Sequence, residues 1–183
     1  DTLINYDTTI YLKKLARWDP DTSLTTRQKF NEIWGWTGPN GREYAIMGSL
    51  SNTYFFDITN PDSPVLADKE PGRGNFAIHR DYATYKHYCY AVTDEFPGAL
   101  KIYDMSYLPD SVHLVYDSQQ FSERTHNVFQ ENGRLYLAAN NVDSFDLPMA
   151  VLSLKDPENP TLLDRFQPRN MKPPRQFSDF HDV

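Results

Sequence analysis

Short hydrophobic runs, broken by turn residues at regular intervals, organise this chain. Tyr54-Phe55-Phe56-Asp57-Ile58 is aromatic or β-branched apart from one acid, the pattern of a pleated, half-buried strand. Asn60-Pro61-Asp62-Ser63-Pro64 follows it and is turn chemistry, with proline fixing φ and Asn and Asp bonding to nearby backbone. The phrase returns as Leu100-Lys101-Ile102-Tyr103-Asp104 and as Ala150-Val151-Leu152-Ser153. It recurs 47 residues on from Asp57 to Asp104, and 49 further on to Ser153. A period of about 40–50 residues in strand-rich sequence predicts a repeat architecture, with a β-propeller as its first form.

Strands can be placed around these markers. Innermost strands begin at Asn31, Arg80 and His126, second strands cover residues 43–47, 88–93 and 135–139, and outer strands follow each third strand. The result is an all-β chain with four-stranded antiparallel blades at about residues 31–69, 78–117 and 125–165. Residues 1–30 form a leading segment, with an outer strand at about 11–18. His181-Asp182-Val183 opens a further blade within 31–183. A ring needs about four blades, so these three predict a partial one. The chain opens at Asp1 without Met or a signal peptide, and a longer parent protein is expected.

Composition narrows the function. Net charge of −7 argues against a nucleic-acid binder, which would carry a basic face. No apolar run approaches the ~20 residues that span a bilayer, so the chain is not expected to cross a membrane as a helix. Cys89 is the single cysteine, in a strand-like run, and is expected to be a buried, inert thiol. There is no phosphate loop, nucleophile elbow or metalloprotease helix.

The motifs together resemble the LVIVD-repeat propellers, in particular the choice-of-anchor B proteins of Bacteroidota-type bacteria. The residues that carry the resemblance are Asn31-Glu32-Ile33-Trp34-Gly35-Trp36, Gly41-Arg42-Glu43-Tyr44-Ala45-Ile46-Met47-Gly48-Ser49, Phe55-Phe56-Asp57-Ile58-Thr59-Asn60-Pro61, Ile78-His79-Arg80-Asp81-Tyr82, Leu108-Pro109-Asp110-Ser111-Val112, Thr125-His126-Asn127 and His181-Asp182-Val183. The resemblance implies export to the cell surface or the extracellular space, through type IX secretion or another anchoring route. It also implies association with an outer-membrane or secretion complex. It implies no shared activity.

Strand directions collect the candidate chemistry at one end. Starts of the innermost strands and ends of the second strands share it, bringing together Glu32, His79, Arg80, Asp81, Asp94, His126, Asn127, His181 and Asp182. Connections between blades lie there too, carrying Arg73, Arg124, Arg169, Lys172 and Arg175. Three readings follow. The polar ring locks blades together through hydrogen bonds. It binds a protein partner or a glycan, with Arg for anionic groups and aromatic rings for stacking. Or His126, His181 and Asp81 hold a transition metal, or carboxylates and amides hold Ca²⁺. The function expected is a binding or protein-interaction module. The alternative is an enzyme using the His and Asp cluster for metal-assisted or acid/base chemistry.

Overall fold

The hydrophobic runs fold into strands in a computed structural model that describes residues 13–18, 30–143 and 145–166. The first sheet holds β1 (Phe30–Thr37), β2 (Glu43–Ser49), β3 (Asn52–Asp57) and β4 (Val65–Pro71). The second holds β5 (Arg80–Tyr85), β6 (Tyr88–Thr93), β7 (Leu100–Asp104) and β8 (His113–Ser118). The third holds β9 (Arg124–Glu131), β10 (Arg134–Val142), β11 (Phe145–Ser153) and β12 (Thr161–Phe166). Each sheet is an antiparallel meander in sequence order. The described residues contain no helix, and none is long and apolar enough to cross a membrane.

The three sheets repeat one another in detail. Asp57, Asp104 and Ser153 each end the third strand of a sheet. A side-chain oxygen of each accepts the amide two residues on, from Thr59 at 2.9 Å, Ser106 at 2.8 Å and Lys155 at 3.2 Å. Serine substitutes for aspartate because the cap needs only an acceptor oxygen. The intervening amides of Ile58, Met105 and Leu154 donate to the carbonyls of Glu43, His87 and Gly133, all at 2.8 Å. The third and fourth strands slip register between Phe55 and Phe56, between Ile102 and Tyr103, and between Val151 and Leu152. That is the same repeat position each time, and a bulge there adds twist to each outer strand.

Alternation sets the core. In the second sheet Cys89, Ala91 and Tyr103 face the first sheet, where they meet Ile46 and Phe55. Tyr90, Val92 and Ile102 face the third sheet and pack on Val128, Leu135, Leu137 and Leu152. A strand covered on both faces has no polar face, which is why β6 is apolar throughout except for Thr93. Among the first strands, β1 lies against β5 and β5 against β9.

Acids plug the strand edges. Ile33 and Tyr82 on first strands donate their amides to the preceding Glu32 and Asp81, at 2.9 and 2.8 Å. Lys69 and Arg165 on fourth strands do the same to Asp68 and Asp164, at 2.7 and 2.8 Å. Two of these acids also reach the next sheet. Asp68 accepts the amide of Val112 at 2.6 Å, and Asp81 that of Val128 at 2.7 Å.

The expected outer strand at 11–18 needs correction. Its described part, residues 13–18, forms no strand. Trp18 instead lies on the face of the first sheet turned away from the second, edge-on to Tyr54 at 5.0 Å and Phe56 at 4.7 Å between ring centroids. Covering two large rings with an indole buries apolar area and makes favourable edge-to-face pairs. The expected strand at His181-Asp182-Val183 lies outside the described residues, as do Arg169, Lys172 and Arg175.

Candidate functional site

The first strands begin, and the second strands end, at the same end of the sheets. Two histidines meet there. Nδ1 of His79 lies 2.9 Å from Oε1 of Glu95, whose other oxygen accepts the His79 amide at 3.1 Å. Thr93 steadies the pair, its hydroxyl 3.0 Å from both the His79 carbonyl and Glu95. Nδ1 of His126 lies 2.9 Å from Oδ2 of Asp94. The two rings approach to 5.8 Å between centroids. The sequence supplies this by following β6 directly with Asp94-Glu95, so that successive acids serve histidines of two sheets. A carboxylate on Nδ1 fixes the orientation of each ring.

Asp81 and its repeats do something else. Register places Asp81 opposite Val92 and Asn127 opposite Ala138, so Asp81 corresponds to Asn127, and His126 to Arg80. One residue of offset reverses the face of a strand. Asp81 therefore points on to the third sheet, while Arg80 and His126 point back to the preceding sheet. Nε of Arg80 donates to the Ser49 carbonyl at 2.7 Å, and Nη2 to that of Leu50 at 3.5 Å. Both oxygens of Asp81 are taken by backbone amides. Burial pushes its carboxyl up to about 6, against the pull of those two amides; the Glu32 charge adds to the rise and His126 opposes it. Asn127 carries a buried Oδ1 with no hydrogen-bond partner among the described residues.

These contacts bear on the three readings of the polar ring. Glu32 and Asp81 work as edge plugs, and Asp81 also clasps two sheets. His79, Asp94, Glu95 and His126 form a paired cluster. Among the described residues no three His, Cys, Asp or Glu side chains are placed to hold a metal ion. His181 and Asp182 lie outside those residues.

A cavity of about 80 Å³ opens beside the cluster, between residues 73–77 and the turn from β6 to β7. Arg73, Arg80, Lys101 and Glu95 line it, together with Phe76, Phe96 and Pro97. Gly72 and Ala77 hold the first wall, their amides donating to the carbonyls of Ser51 and Leu50 at 2.7 and 3.0 Å. Nζ of Lys101 donates to the Pro71 carbonyl at 2.7 Å and lies 3.6 Å from Asp117, to which Nε of Arg73 donates at 2.7 Å. Phe76 and Phe96 are 76% and 71% exposed.

Reasoning from sequence placed Arg73 among the connections at this end but missed Lys101 and both phenylalanines. The signal for Lys101 is positional. It stands three residues before Asp104, where the other repeats carry Tyr54 and Ala150. A charge between apolar neighbours in a buried strand marks a place where something polar must be met.

A comparison with protein-family models finds no match to this chain, and one with curated proteins finds none either.

Proposed function

We propose that this chain is part of an exported β-propeller that acts at the cell surface or outside the cell as a protein-binding module. The observation that carries the binding role is the exposure of Phe76 and Phe96 beside a cation-lined cavity, at the end of the sheets where the connections gather. Large exposed aromatics next to arginine are the composition of binding hot spots. The ring arrangement draws support from the equivalent bulges and caps in each sheet, and from β1, β5 and β9 lying side by side in order. The address rests on the resemblance to choice-of-anchor B proteins, with an outer-membrane or secretion complex as the setting.

The test places a photo-crosslinking residue at position 76 or at position 87 of the full-length protein in the cells that make it. His87 lies on the β5–β6 turn, at the other end of the second sheet. A defined partner captured from position 76 but not from 87, on protein that protease removes from intact cells, is the expected result. Equal capture from both positions, or protection from protease, refutes the proposal.

One observation favours a second reading. His126 backed by Asp94 at 2.9 Å, with His79 facing it, is an arrangement suited to acid/base work. Hydrolytic turnover that disappears in His126→Ala would establish it. Its metal-dependent form, with Ca²⁺ or a transition metal and His181 as a further ligand, requires that chelator lower the melting temperature of the full-length protein. An unchanged melt removes that form.

A further inference from the structure

We propose that the cavity lined by Arg73, Arg80 and Lys101 is a socket for one acidic side chain of a protein partner, with Phe76 and Phe96 packing on the residues beside it. The inference rests on the binding-module reading and adds the chemistry that is recognised. The wall carries three cations against one carboxylate, Glu95, in a chain whose net charge is −7. Behind the wall, Asp117 is shared by Arg73 and Lys101 and the Glu70 charge also acts on Lys101, while the surface that a ligand meets keeps its three cations against one carboxylate. Arg80 and Lys101 are each only 8% exposed. Burial lowers the affinity of the Lys101 amine for its proton, against the pull of Asp117. An entering carboxylate would offset that cost.

Donors remain for it. Arg80 uses Nε and Nη2 on carbonyls, and among the described residues Nη1 has no protein partner. Lys101 directs one hydrogen bond to Pro71, and an ammonium has three to give. Size then selects the ligand. About 80 Å³ admits a carboxylate head and excludes a drug-sized molecule, whose sites run to roughly 300–1,000 Å³. The group must therefore arrive on a larger body. The exposed rim is phenylalanine and proline, which offer no hydrogen bonds to the hydroxyls of a sugar and suit the apolar neighbours of an acidic residue.

The test is selection of a displayed random peptide library on the whole protein, followed by affinity measurements on the enriched peptides. The expected peptides carry Asp or Glu next to an apolar residue. Replacing that acid by its amide, or introducing Arg73→Gln or Phe76→Ser, weakens binding about tenfold or more with the melting temperature unchanged. Enrichment without acids, or affinity indifferent to Arg73→Gln and Phe76→Ser, overturns the socket. In either case the crosslinking result decides separately whether the module reading stands. No enriched peptide, with glucuronate-bearing oligosaccharides bound instead in a Phe76-dependent way, overturns the protein source of the carboxylate.

Discussion

Removing the Asp81 carboxylate opens the clasp between the second and third sheets. Asp81→Ala leaves the amides of Tyr82 and Val128 without the acceptors they have at 2.8 and 2.7 Å. Hydrogen bonds to a charged acceptor contribute about 1.5–3 kcal/mol each, and part of that is offset by the cost of burying the carboxylate. A net loss of about 3 kcal/mol follows, which for a chain of this length lowers Tm by about 6–12 °C. Hydrogen exchange should localise it, with the Val128 amide losing protection while amides in the first sheet keep theirs. Asp81→Asn keeps one acceptor oxygen and should cost less. The same group sets a pH dependence. Its carboxyl titrates at about 6 in the folded chain, and near 3.9 when unfolded. Between those values the folded chain holds a proton that the unfolded chain has released. The proton-linked part of Asp81's stabilisation, separate from the two hydrogen bonds that Asp81→Ala removes, is therefore fully present below about 4 and is lost as pH rises through 6. The full shift corresponds to about 3 kcal/mol, and solvent at this partly exposed group reduces it to about 2. Urea titrations of wild type and Asp81→Asn across pH 4 to 7 isolate the term by difference. A carboxyl carbon resonance titrating at or below 4, or an Asp81→Ala protein melting within about 2 °C of wild type, would refute the reasoning.

Two further outcomes are expected. Gly48→Ala places a methyl 2.0 Å from Oδ1 of Asn31 and 3.0 Å from the Tyr82 hydroxyl. It should displace the Asn31 bond to the Ala77 carbonyl and cost about 1–3 kcal/mol in urea denaturation; no change would mean that Asn31 swings clear. Cys89 has no exposed surface, and burial pushes its thiol far up. It should resist thiol reagents until the chain unfolds, and stoichiometric labelling with the near-UV spectrum intact would refute that placement.

The sheets were legible because their signals are local. Aromatic and β-branched runs, Asx turns and proline punctuate the chain at each repeat, and the sheet limits fall within two residues of those expected. The site was legible only in part. Repeats aligned on Asp57, Asp104 and Ser153 match in their third strands, but the count back to the first strand varies. It is 23 residues from Asp104 to Asp81 and 26 from Ser153 to Asn127. Longer second and third strands in the third sheet account for the difference, and strand parity decides the face, so His126, expected to share a site with Asp81, pairs with Asp94 while Asp81 points on to the third sheet. Trp18 was misplaced for another reason. A periodic run near the start of the chain suits a strand, but its indole finds a partner in Tyr54 and Phe56, a contact no local pattern encodes. Lys101 kept its strand against the usual cost of a buried amine because Pro71 and Asp117 meet it across the fold.

Glu32, Asp68, Asp81 and Asp164 have a consequence for how such a chain can grow. An open sheet margin invites a fifth strand, whether from the same chain or from a stranger. Here the margin amides of Ile33, Lys69, Tyr82 and Arg165 are already occupied by the residue before them. Widening a sheet at these points would mean evicting a carboxylate, whereas adding another whole sheet disturbs none of them. Duplication of a unit is thus the easy direction of change. The width of each sheet stays fixed, and the number of sheets is left free to vary.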